Sequence, residues 1–316
     1  MTQIQTKYRF SDHEDDPKYR FSGHETFPLK YGWLEKLTHF LNEKALSHEL
    51  ISDDLKAEYR AVDFGLGLNM AKSLKHWAYA TQVLEEKIDK KLTYSLTGDL
   101  IFGKNGKDKY IENINTIWFL HWKLATNNNY FSTWTWFYNN FSETQFDREQ
   151  LLGDLNAYIH NVGLKVSEVS LKRDIDCFIR SYVNTKDEEL GSPFSELNLI
   201  RIDGTNKYSS ERSNKDSLAT ELIIISIIYF INFHNITSTT ISLDKLLYEP
   251  YSPGCIFRLN SDELILHLEK INALTNKSIS LDVSSGISQV VITDTKKINS
   301  ENIIKQEEKY LSKIYE

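Results

Sequence analysis

Cysteine is almost absent: 316 residues hold two, Cys177 and Cys255, far apart and in unlike contexts. That argues against a disulfide framework or a cysteine zinc site and for a reducing compartment. Nine histidines are scattered without HxxxH or HExxH spacing, so metal catalysis has no support in the chain. No Gly-rich loop ends in Lys-Ser/Thr, and Gly65-Leu66-Gly67 lacks the strand and third glycine of a dinucleotide site. A GxSxG elbow is missing too. An enzyme is therefore the weaker expectation, without catalytic residues, metal or cofactor, although a nuclease site assembled from distant Asp, Glu and Lys stays open. The apolar run Leu222–Ile231 is shorter than the roughly 20 residues a bilayer span needs. The first twenty residues are polar and charged, unlike a signal peptide, so a cytoplasmic protein off the membrane is expected.

Positive charge is also short. Lys and Arg number 37 against 44 Asp and Glu, a net charge of −7, which counts against nucleic-acid binding. The charge is uneven, however. Between Val62 and Tyr110 eight lysines (72, 75, 87, 90, 91, 104, 107, 109) face six acids, leaving +2 there and −9 elsewhere. Such a local patch binds DNA with modest affinity and with help from partners. With 41% hydrophobic and 26% charged residues, the chain is an ordinary globular one, long enough for two or three small domains.

The stretch Ala61–Gly103 carries the most information. Gly65 and Gly67 allow the left-handed backbone of a sharp helix-to-helix turn, and Asn69 stands where a helix N-cap is expected. Met70, Ala71, Leu74, Trp77 and Ala78 then share one helical face, while Lys72, His76 and Tyr79 share the other, with Lys75 on its flank. A charged hairpin tip, Lys87–Lys91, follows. With a short helix expected over 52–62, this is the order of a winged helix-turn-helix, whose second helix enters the major groove.

The remaining chain divides by the same signals. KYRFSDHE at Lys7–Glu14 recurs as KYRFSGHE at Lys18–Glu25, which marks residues 1–17 as a duplicated mobile tail. Ser22-x-x-Glu25 fits a capping box and Pro28 a first helical turn, with Gly32 inside the helix that follows. His24-Glu25 is more readily a capping pair than a catalytic one. The aromatics of Phe131–Phe141 are expected to pack rather than to stack bases. A winged-helix domain over 18–142 is followed over 143–212 by a second such unit or, equally, by a helical domain with a surface hairpin. There Asp147-x-x-Gln150 opens one helix, and the next, Ser170–Val183, shows Lys172, Arg173, Cys177 and Arg180 away from its apolar stripe. Residues 213–316 make a C-terminal helical domain: a buried helix over 216–233, where the many isoleucines leave a buried strand open, a third, weaker copy of the pattern, a hairpin around Ser284-Ser285-Gly286, and a charged end helix.

Several segments resemble a bacterial family labelled a domain of unknown function, number 4007. They are YRFSGHETFPLKYGWL (19–34), LGLNMAKSLKHWA (66–78), LTGDLIFG (96–103), TIWFLHWKLA (116–125), TWTWFYNNF (133–141), LKRDIDCFIRSYV (171–183), SPFSELNLIRI (192–202) and LYEPYSPGCIFRL (247–259). Members tend to sit beside sulfurtransferase genes of the phosphoadenosine-phosphosulfate-reductase type, in DNA-phosphorothioation and phage-defence islands. The resemblance implies a DNA-associated accessory protein and carries no catalytic residues.

The expectation is thus a mainly α protein with small β-hairpins, arranged as tandem winged helix-turn-helix units. It would bind double-stranded DNA within a modification or defence complex of other proteins. Asn69, Lys72, Lys75, His76 and Tyr79 would lie at the groove, Lys90 and Lys91 on the wing, and Lys172, Arg173 and Arg180 at a second face. The rivals are a dimeric repressor on its own operator, an adaptor without DNA, and a metal nuclease.

Overall fold

The computed structural model describes residues 19–46, 62–85, 92–183, 191–284, 287–293 and 303–316. Residues 19–32 form no helix. Tyr19 makes a parallel bridge to Phe131, and Arg20 donates its backbone N–H to the Phe131 carbonyl at 2.8 Å. Glu25 and Thr26 take φ of 49° and 66°, so Ser22-x-x-Glu25 is a tight turn and not a capping box. Pro28 consequently opens no helix. Gly32, at φ 75°, supplies the left-handed break that delays α1 to Trp33–Leu46. The repeat copy at Lys18–Glu25 is the one built into the fold from Tyr19 onward; the first copy lies outside the described residues.

Gly65, at φ 58°, makes the expected turn. Gly67 is extended and precedes α2, Leu68–Ala80, as its N-cap, so Asn69 is the second helical residue and not the cap. The short strands β1 (Leu84–Glu85) and β2 (Thr93–Tyr94) pair antiparallel. Most of the helix expected over 52–62, and the hairpin tip with Lys90 and Lys91, lie outside the described residues. Ser95 accepts the Gly98 N–H at 2.9 Å and so caps α3, Leu96–Phe102. α4 (Ile114–Thr126) and α5 (Thr133–Asn140) follow, and the α5 aromatics Trp134, Trp136, Phe137 and Tyr138 are all buried in packing.

From there a strand, a run of helices and a closing hairpin occur twice, with two α-helices in the first run and three in the second. β3 (Gln145–Phe146), α6 (Arg148–Asn161), α7 (Glu168–Tyr182), β4 (Arg201–Gly204) and β5 (Lys207–Ser209) form a sheet of order β3-β5-β4. After α8 (Thr220–Phe233), the elements β6 (Thr240–Ser242), α9 (Leu243–Tyr248), α10 (Pro253–Ile256), α11 (Ser261–Leu274), β7 (Ile279–Ser284) and β8 (Ile287–Ile292) form a sheet of order β6-β8-β7. In both, the strand before the helices pairs antiparallel with the last strand of the hairpin after them. The caps are local: Asp147, Ser167, Ser242 and Asn260 each accept a backbone N–H three residues on.

The protein is mainly helical with small antiparallel sheets, and its buried apolar side chains form one contiguous cluster from Phe21 to Leu311. α12, Ile303–Ile314, closes the chain over α8 and α3. Its Glu307 is 2% exposed and pairs at 2.6 Å with the Lys123 ammonium, which lies 5.2–5.5 Å from the Phe119, Trp122 and Tyr229 ring centres. The Tyr229 hydroxyl donates to the same carboxylate.

Candidate nucleic-acid interface

The segment 19–28 lies across α2 and decides which of its side chains reach water. The Phe27 carbonyl accepts from the Ser73 hydroxyl (3.3 Å) and the Trp77 indole N–H (2.9 Å). Gly23 lies so close to His76 that a Cβ there would come within 2.3 Å of its Nδ1. Burial, helped by His24 and Arg20 nearby, pushes the His76 imidazole down to about 3, so it stays neutral. Tyr79 is buried as well, parallel to Tyr130 with centroids 6.1 Å apart.

His76 and Tyr79 therefore do not face a groove. The helical period correctly places them opposite the Leu74 face, but a distant part of the chain covers that side. Asn69 and Lys72 remain exposed, and Lys75 is half-buried with its ammonium 5.8 Å from the Tyr79 ring centre. Arg20, absent from the expected set, joins them: its guanidinium lies 5.2 Å from the Tyr130 ring centre. Two cations thus rest on two parallel tyrosine rings. The basic–aromatic triplet Tyr19-Arg20-Phe21 was the available signal, overlooked because it falls in a repeat.

On α7 the picture is mixed. Lys172 is exposed but paired with Glu168 at 2.5 Å. Arg173 is exposed and makes no ion pair with any described residue. Arg180 bonds to Asp176 (3.1 Å) and to the Thr26 carbonyl (2.6 Å), and Asp176 also meets Arg148 at 3.5 Å. Cys177 is fully buried, which removes it from the polar side. Beside this helix the β4–β5 hairpin exposes Arg201 and Lys207.

His24, Asp174 and Thr133 make a connected polar group in the interior. The Thr26 N–H donates to His24 Nδ1 (3.0 Å), so the Nε2–H donates to Asp174 at 2.7 Å; the other Asp174 oxygen accepts the Thr133 N–H at 3.0 Å. At 1% and 0% exposure this pair has no route to a substrate and instead ties the N-terminal segment to α5 and α7. Among the described residues no group of three or more His, Cys, Asp or Glu is placed to hold a metal ion, and no helix is long and apolar enough to cross a membrane.

A sequence profile described as "Protein of unknown function (DUF4007)" matches residues 21–310. The chain belongs to this family. A comparison with curated proteins finds no match. Two solved structures share the fold of this DUF4007 protein. "SspB crystal structure" is 21% identical with a TM-score of 0.77, over 95% of this chain and 89% of that one. "Magnesium ion-bound SspB crystal structure" is 19% identical with a TM-score of 0.73, over 93% of this chain and 97% of that one.

Proposed function

We propose that the chain is a DNA-binding accessory component of a bacterial DNA-modification or phage-defence complex of the phosphorothioation kind, with no catalytic step of its own. The repeated order of a strand, helices and a hairpin, with two α-helices in the first copy and three in the second, and the shared sheet order support winged helix-turn-helix units. The family resemblance supports the setting. The observation that carries DNA contact is the pair of cations, Arg20 and Lys75, held on the Tyr130 and Tyr79 rings with Lys72 exposed one turn away. Arg173, Arg201 and Lys207 offer a second set of phosphate contacts. With His76 and Tyr79 buried, the binding is to backbone more than to base edges.

A salt titration of duplex binding by the full chain tests this. Lys72→Ala and Arg173→Ala should each weaken binding on every sequence and lower the slope of log K against log salt by about 0.9. Unchanged slopes in both variants would overturn the assignment. Comparing phosphorothioate-modified with unmodified duplex in the same assay tests the setting.

Two observations favour other outcomes. Burial of His76 and Tyr79 removes base-reading groups and suits a protein adaptor, which would bind no duplex at low salt yet co-purify with a partner. One SspB structure is titled as magnesium-bound, so supercoiled plasmid incubated with the chain and magnesium belongs in the same series. Nicking that depends on the metal would replace the accessory role with a nuclease.

A further inference from the structure

A cavity of about 360 Å³ opens at the surface between α1 and the loop after α3, and none of the side chains assigned to DNA contact lines it. Its two walls carry opposite charge. Glu35 and Glu43 stand about two turns apart on α1, roughly 12 Å along the axis, and Lys104 and Lys109 come from the loop. Both walls are fixed. The Asn42 amide donates to the Phe102 carbonyl (3.3 Å) and the Tyr94 hydroxyl to the Thr38 carbonyl (3.1 Å), which ties α1 to α3 and β2. In the loop, the buried Asp108 carboxylate accepts the Glu112 and Asn113 N–H groups at 2.8 and 3.1 Å. A Cβ on Gly106 would come within 2.3 Å of the Ile101 carbonyl oxygen, so the loop lies tight against α3. Ile111, a β-branched residue at φ 57°, buries its own side chain, while the neighbouring Tyr110, 63% exposed, lines the cavity.

The charges do not answer one another across this cleft. The side chains of Glu35 and Lys104 make no hydrogen bond or ion pair with any described residue. Glu43 lies 3.3 Å from His39 on its own helix, and Lys109 donates to the Lys104 carbonyl. Two carboxylates and two ammonium groups leave the lining balanced, and that balance discriminates between ligands. A phosphate or a nucleotide would meet the glutamates, and a polyamine or a metal ion would meet the lysines. A molecule carrying both charges satisfies both walls with charge-assisted hydrogen bonds and sets its apolar part against the Tyr110 ring.

We infer that this cleft binds a small zwitterion, an amino acid or a dipeptide, with its ammonium group at Glu35 and its carboxylate at Lys104. The inference does not rest on the DNA reading. Saturation-transfer NMR on the full chain tests it, with the standard L-amino acids and glycylglycine as probes and with putrescine and succinate as controls of a single sign. At least one zwitterion should bind with a Kd below about 1 mM, and neither control should bind at that concentration. The amino-acid and dipeptide arms separate the two sources. Glu35→Gln and Lys104→Gln should each weaken the binding about tenfold, as for loss of one charge-assisted contact, and leave the melting temperature unchanged. Lys104→Glu should in addition admit putrescine, a gain that a misfolded chain would not show. Failure of every zwitterion to bind, a control that binds as well as they do, or unchanged affinity in both Gln variants overturns the inference. So does a Lys104→Glu chain that still rejects putrescine.

Discussion

Gly23 is a glycine because of its neighbour rather than its own backbone. A methyl there would meet the ring of His76, which is wedged beside Trp77 and Tyr130 and has nowhere to retreat. Gly23→Ala should therefore cost about 1–3 kcal/mol, seen as a lower urea midpoint with an unchanged m-value. Gly23→Asp, which copies the residue of the first repeat, should cost more because it adds a buried charge. In the first repeat Asp12 stands at the position that Gly23 holds in the second. None of this could be read from the chain. Two nearly identical octapeptides differ by one residue, and only the distant ring of His76 gives the difference a meaning.

Among the elements, α12 is held by the least replaceable contact. Lys123 and Glu307 are both taken out of water, and each is tolerable only because the other is there. Glu307→Ala should cost about 3–5 kcal/mol by leaving the ammonium unpaired among its rings. The double variant Lys123→Met/Glu307→Met should recover most of that loss in the same denaturant series. Helices, caps and hairpins of this kind were legible in the sequence where their cause is local. Asp147 before α6, Ser242 before α9 and the alternation of β7 and β8 are examples. What escaped was non-local. The cover over α2 comes from residues some fifty positions away, and the pairing of β3 with β5 joins Phe146 to Tyr208. Of the candidate site, the exposure of Lys72 and Arg173 was legible from charge and period alone, whereas the placement of Arg20 needed Tyr130.

At the scale of the whole molecule, one core holds three neutral histidines. Burial pushes His76 and His121 down to about 3 and His267 to about 4, against an ordinary value near 6.5. The unfolded chain binds these protons and the folded one does not, so stability is full above about pH 6.5 and falls as the pH drops toward 3–4. At pH 5 each histidine should withdraw about 2 kcal/mol, together enough to rival the entire stability of a small protein. Thermal melts at pH 7 and pH 5 would show the loss; equal melting temperatures would contradict the neutral, buried assignment. Acid sensitivity should persist when the exposed His39 is replaced, since it plays no part in the core.

The closing of α12 over Lys123 also has a consequence in time. On the ribosome, Lys123 leaves the exit tunnel long before Glu307 has been translated, and domains otherwise tend to fold from the N-terminal side as they emerge. Burying the Lys123 ammonium among its rings before Glu307 exists would leave it without a counterion, so this part of the core is expected to settle only once synthesis has passed Glu307. Maturation of this fold is in that sense post-translational, and a messenger cut short before that codon should yield protein bound for chaperones and proteases.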